Sequence, residues 1–197
     1  MPAHVYSCAL TGLDGEIIEV EVDFADGLPG MVIVGLPDAA VQESRERVQS
    51  AVKNSNLFYP RQRFIVNLAP ASVRKEGPAF DLPIAIGALI MTGQISQEAL
   101  DGSLVLGELS LNGTVRHVRG VISMAAAARQ HGYKRVFVPE SDAAEAAIIP
   151  DLDVIPVSSL NQLCQHLNGR SQITVQQKSE IESEDLTAQT DFQDIKG

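Results

Sequence analysis

The sequence predicts an α/β (α+β) fold in which mixed sheets surround one buried central helix, with a βαβ portion at the C-terminal end. Three observations carry this expectation. Residues 75–91, KEGPAFDLPIAIGALIM, run from a charged pair through a Gly-Pro corner into almost unbroken apolar residues, the pattern of a helix covered on most sides. The segments before it alternate apolar and polar residues as strands do. After it, two successive strand–helix steps favour parallel pairing, appended to an antiparallel first half.

Taken in order, residues 3–11 offer Val5, Tyr6, Cys8 and Leu10 for pairing, and Gly12–Gly15 forms a turn. Ile17, Val20 and Val22 alternate with Glu16, Glu19, Glu21 and Asp23, so the second strand has one wet face and the pair reads as a hairpin. Gly27–Gly30 closes it, and Met31–Val34 is a more completely apolar strand. Asp38 is placed to cap a helix in which Val41, Ser44, Val48 and Ala51/Val52 recur at helical spacing, with Glu43 and Arg47 four apart. After an aromatic-containing loop ending at Pro60, the strand 64–68 leads through Ala69-Pro70-Ala71 and a charged loop to the central helix. Pro83 enters that helix near its first turn and Gly93 marks its exit.

Residues 104–107 and 108–111 read as short strands, with a turn at Asn112-Gly113. An alanine-rich helix over 121–130 follows, then a strand at 135–139 and a short helix at 142–148 capped by Ser141. The strand at 153–157 precedes a last helix towards Asn168, capped by Ser158 or Ser159.

A chain of 197 residues suits one domain of about 150 to 170 residues with an extension. The net charge of −10 argues against a wholly electropositive nucleic-acid binder. Six acids and two bases lie within 171–197, however, so −4 of that charge sits in the tail and a modest basic face remains open to the folded part. From Gly169 to Thr190 the composition is that of a flexible acidic linker, and DFQDIKG at 191–197 regains a patterned look. Two isolated cysteines, Cys8 and Cys164, fit a reducing, cytoplasmic setting. The start lacks the pattern of a signal peptide, and the apolar run at 82–91 is far shorter than the roughly 20 residues that cross a bilayer, so no membrane contact is expected.

No GxxxxGK[ST] occurs, which argues against P-loop nucleotide hydrolysis within this chain. The helix start after Gly77 could hold an anion, although a tight structural corner is the simpler role. His4, His117, His131 and His166 share no metal-ligand spacing, and no metal site is expected. Asp81 reads as an N-terminal helix stabiliser. Arg61, Arg63, Arg74 and Lys75 flank the strand 64–68, while Arg116, His117 and Arg119 cluster after the Asn112-Gly113 turn. If the two groups meet, they form a positive patch able to contact phosphates. Contact with an acidic partner and simple solvation fit the same residues.

The segments VGLPDAAVQESRERV (34–48), NLAPA (67–71), KEGPAFDLPIAIGAL (75–89) and GELSLNGTVRHVRGV (107–121) together resemble the amino-terminal domain of the ComM/YifB family of magnesium-chelatase-like AAA+ proteins. The resemblance covers residues 1 to about 168, and DFQDIKG looks like the family's entrance into its ATPase module. It implies a ribosomal protein S5 domain 2-like fold, similar to the proteolytic domain of Lon proteases. That enzyme's serine nucleophile follows a Gly-Pro corner, a place held here by Ala79. Its lysine follows a glycine at the next long helix, a place held here by Ile122. Neither side chain can attack a carbonyl or take up its proton.

The resemblance therefore implies a non-catalytic accessory domain of a hexameric, DNA-processing AAA+ motor, one associated with branch migration in natural transformation. Its partners would be its own AAA+ domain, the other subunits of a homo-hexamer, and DNA. No cofactor is expected in this chain, with ATP and Mg²⁺ implied for the downstream domain. A degenerate peptidase-like or chelatase-type interaction scaffold is the alternative.

Overall fold

The structure, a computed structural model, describes residues 1–177. The linker expected to run on to Thr190 lies beyond them from residue 178, as does the segment 191–197.

The first sheet contains β1 (Ala3–Thr11), β2 (Asp14–Ala25), β3 (Gly30–Val34) and β4 (Arg63–Ala69), in the order β1-β2-β4-β3. The β1–β2 hairpin forms as its alternation predicts, with Val5 opposite Val20 and Thr11 opposite Asp14. Val5, Val20, Val22, Phe64, Val66 and Leu68 are buried on one face, whereas Tyr6, Asp23 and Ile65 are exposed on the other. The first half is not wholly antiparallel, because β3 pairs parallel to β4. The connection explains this correction: a helical crossover, α1 (Ala39–Gln42) and α2 (Ser44–Asn54), carries the chain back before β4 begins.

Asp38 caps that crossover, its Oδ1 accepting from Val41 N at 2.7 Å. The single helix expected here is divided at Glu43. There the Ala40 carbonyl accepts from Arg47 Nη2 at 2.8 Å, and Glu46 N donates to the Glu43 carbonyl only three residues back. The anticipated stripe of Val41, Ser44, Val48, Ala51 and Val52 is buried throughout.

A 3-10 turn at Pro78–Phe80 leads into α3 (Asp81–Met91), every residue of which is buried from Asp81 to Leu89. It lies against the β1–β2 hairpin so closely that a Cβ on Gly87 would meet Val22 Cγ2 at 2.5 Å. The remaining elements are β5 (Ser103–Val105), β6 (Glu108–Leu109), β7 (Val115–Arg116), α4 (Val121–Gln130), β8 (Arg135–Pro139), α5 (Ala143–Ala146), β9 (Asp153–Val157) and α6 (Leu160–Leu167). Strands β5, β8 and β9 form a parallel sheet in that order, and β6 and β7 a small antiparallel ribbon. Helix α4 packs on the back of the same hairpin as α3, so the hairpin separates two apolar clusters.

Ser159 caps α6, its Oγ accepting from Gln162 N at 3.2 Å. Ser141 does not cap α5: a 3-10 turn at Glu140–Asp142 intervenes, and Ser141 Oγ donates to Asp142 Oδ1 at 2.9 Å. After α6, Ile173 N donates to His166 Nδ1 at 3.0 Å and Gln176 N to the Val154 carbonyl at 2.8 Å. Cys8 and Cys164 are free and buried, and burial pushes both thiols up to about 12. Among the described residues, no helix is long and apolar enough to cross a membrane.

Candidate functional site

The Gly-Pro corner before α3 opens on a cleft of ≈ 610 Å³. Its geometry is set by two chain segments held edge to edge. Asp38 N donates to the Lys75 carbonyl at 3.0 Å and Lys75 N to the Leu36 carbonyl at 3.2 Å. Asp38 has a second task besides capping α1, since its Oδ2 accepts from Gly77 N at 3.1 Å. That bond holds Gly77 at φ 78, a backbone conformation suited to glycine. The amide that could have greeted an anion at this corner is thus already engaged by a carboxylate.

Ala79 lies on the cleft wall with Leu10, His117, Arg119 and Met124, and only 7% of its surface is exposed. Ile122 is 39% exposed and is not part of the wall. None of the lining residues carries a hydroxyl, thiol or amine. What the cleft does hold is a positioned imidazole. His117 Nδ1 sits 2.6 Å from Asp142 Oδ1, and Asp142 is buried and also accepts from Val118 N at 2.9 Å. A carboxylate so fixed orients the ring and leaves its other nitrogen for hydrogen bonding or proton exchange. Asp142 went unrecognised in the sequence because it lies 25 residues from its partner.

Directly behind the cleft, Asp81 does more than stabilise a helix start. It is completely buried and accepts from Ser44 Oγ, from Arg47 Nε at 2.6 Å and Nη2 at 3.1 Å, and from Leu109 N at 3.1 Å. The Asp81 carboxylate raises the Arg47 guanidinium above its ordinary value. One side chain therefore ties α2, α3 and β6 together. Arg47, expected to pair with Glu43, reaches that residue only at 3.5 Å.

The six basic residues expected to contact DNA or a partner do not make one patch. Lys75 must be withdrawn from that surface, for it is fully buried and its Nζ donates to the Pro70 carbonyl. Desolvation lowers its pKa from the ordinary lysine value. Arg74 is paired with Glu76 at 3.2 Å and Arg116 with Glu108 at 3.6 Å. Arg119 lines the cleft, whereas Arg61 and Arg63 line a hollow with Phe24 and Asp26. Arg63 opens the seven-residue strand β4, whose length separates it from the loop bearing Arg74 by about 20 Å.

The pairing of β1 with β2 also gathers His4, Glu19 and Glu21, whose candidate ligand atoms all lie within 4.8 Å of one another. Sequence spacing does not reveal this grouping, because it arises from the cross-strand pairing of β1 with β2. These side chains already have partners: His4 Nδ1 is 2.8 Å from Glu19 Oε1, and Glu21 accepts from Asn67 Nδ2.

A family model described as subunit ChlI of Mg-chelatase matches residues 20–142, which span the first sheet, the central helix and the cleft. The chain belongs to the ChlI family. Among curated relatives, it is 39% identical over 171 residues to competence protein ComM of Haemophilus influenzae, covering 87% of this chain and 33% of that protein. It is 36% identical over 193 residues to YifB of Escherichia coli, covering 98% of this chain and 38% of that one. A Lon protease of Aster yellows witches'-broom phytoplasma is 26% identical over 169 residues, covering 79% of this chain and 21% of the protease. The chain thus spans about a third of the length of the ComM and YifB relatives, and the resemblance to the ComM/YifB family holds along most of it.

Proposed function

We propose that residues 1–168 form a non-catalytic accessory domain of a hexameric AAA+ motor that processes DNA in the cytoplasm, acting in branch migration during natural transformation and recombination. The observation that carries this reading is the cleft wall, which has Ala79 at its corner and no hydroxyl, thiol or amine with which to form an acyl intermediate. The likeness to a competence protein supports the setting in transformation. ATP and Mg²⁺ would belong to a downstream AAA+ domain, and the role of the present domain would be contact with DNA or with neighbouring subunits.

The test compares the full-length protein with a version lacking residues 1–168, scoring branch migration and hexamer assembly together. Loss of either supports the reading; unchanged migration by an intact hexamer contradicts it, as would peptide hydrolysis by the purified domain. The family description also favours a second reading, a chelatase-type interaction scaffold. That reading expects a full-length protein whose ATPase responds to a chelatase partner subunit and not to DNA.

A further inference from the structure

The end of the first sheet farthest along β4 from the Gly77 corner carries three hollows that share walls. One, of ≈ 490 Å³, contains Lys53, Phe58, Tyr59 and Arg61. It shares Pro29 and Gly30 with a second, which includes Arg63, and Arg61 with a third, which also includes Arg63. Lys53, Arg61 and Arg63 therefore line adjoining hollows at one end of the sheet. None of the three forms an ion pair among the described residues, in contrast to Arg74 and Arg116. Asp26 is the acid on this surface.

An aromatic ring stands among these cations. Phe58 is 60% exposed, yet its backbone is fixed on both sides by one glutamine: Phe58 N donates to Gln94 Oε1 at 2.9 Å, and Gln94 Nε2 donates to the Phe58 carbonyl at 2.8 Å. Beside it, Tyr59 packs edge-on against Phe64 and lies 5.7 Å from the Lys53 ammonium, measured to the ring centroid. An exposed phenylalanine on a clamped backbone is a preformed stacking platform, and free cations around it can follow a phosphate backbone. A purely acidic peptide would use the cations and leave the ring unexplained. A duplex would keep its base faces stacked internally and out of reach of the ring.

We infer that this surface binds single-stranded nucleic acid, with a base on Phe58 and phosphates on Lys53, Arg61 and Arg63. The inference deepens the accessory-domain reading and rests on it for the biological occupant. Phe58→Trp provides a direct probe, because the chain has no tryptophan of its own.

Titration of the Phe58→Trp chain with an oligothymidylate at low salt should quench the indole, and anisotropy of a labelled oligothymidylate should give wild-type-like affinity. Phe58→Ala should weaken binding about tenfold. Lys53→Glu/Arg61→Glu/Arg63→Glu should abolish it, while Arg74→Glu/Arg116→Glu should leave it unchanged, with circular dichroism verifying that each variant is folded. An unquenched indole, equal affinity for duplex DNA, or equally effective competition by polyglutamate overturns the site. If the site fails in this way while removal of residues 1–168 still cripples the full-length motor, the accessory-domain reading survives without it.

Discussion

The two ends of strand β4 carry basic residues in opposite states. Beyond its C-terminal end, Lys75 is buried, Arg74 is paired with Glu76, and Arg47 is bound to Asp81 behind the cleft. At its N-terminal end, Arg61 and Arg63 stand exposed or half-exposed beside Phe58, without ion pairs among the described residues. The first end uses charge to fix the backbone around the Gly-Pro corner. The second has charge available for something else. The Gly-Pro corner is thus held as architecture, while the basic residues without ion pairs lie at the other end of the same strand.

The largest effect expected from breaking this contrast is at Asp81. Asp81→Ala strands Arg47 and frees Ser44 Oγ and Leu109 N, donors from the two elements α2 and β6 that the α3 carboxylate holds. Removing one partner of a buried ion pair should cost about 3 to 5 kcal/mol in guanidinium unfolding. A loss below about 1 kcal/mol would show that α2, α3 and β6 do not depend on this carboxylate.

Lys75 should have a smaller effect, with a definite sign. Its folded pKa is lowered from 10.5 by desolvation, so the folded chain releases this proton before the unfolded chain does. Its contribution to stability is unfavourable at neutral pH, and the penalty is relieved as pH rises through the folded pKa towards 10.5. Lys75→Met, which keeps the stem and removes the charge, should therefore gain stability relative to wild type at neutral pH. The gain should shrink as unfolding is measured at pH rising towards 10.5. A difference independent of pH would mean that the ammonium pays no desolvation cost in the fold.

Local pattern was the legible part of the sequence. The bounds of α4, β8 and β9 match their expected spans, and the stripe on α1 and α2 is buried at every expected position. Pairings between distant residues were not legible. Arg47 meets Asp81 across 34 positions, His117 meets Asp142 across 25, and Gln94 clamps Phe58 across 36. Lys75 read as a surface residue because Arg74 and Glu76 flank it, and nothing local reveals that the bridge to Pro37 turns it inward. Phe58 read only as part of an aromatic loop. Its exposure emerges from the tertiary contacts that hold its backbone.

The contrast between the two ends is tested most directly with Arg61→Gln/Arg63→Gln. On this account, stability stays within about 0.5 kcal/mol of wild type. The slope of log affinity for an oligothymidylate against log salt becomes shallower by about 1.4, the value for two lost single-strand phosphate contacts. An unchanged salt slope, or a loss of stability comparable to that of Asp81→Ala, would contradict the claim that these arginines are free for binding.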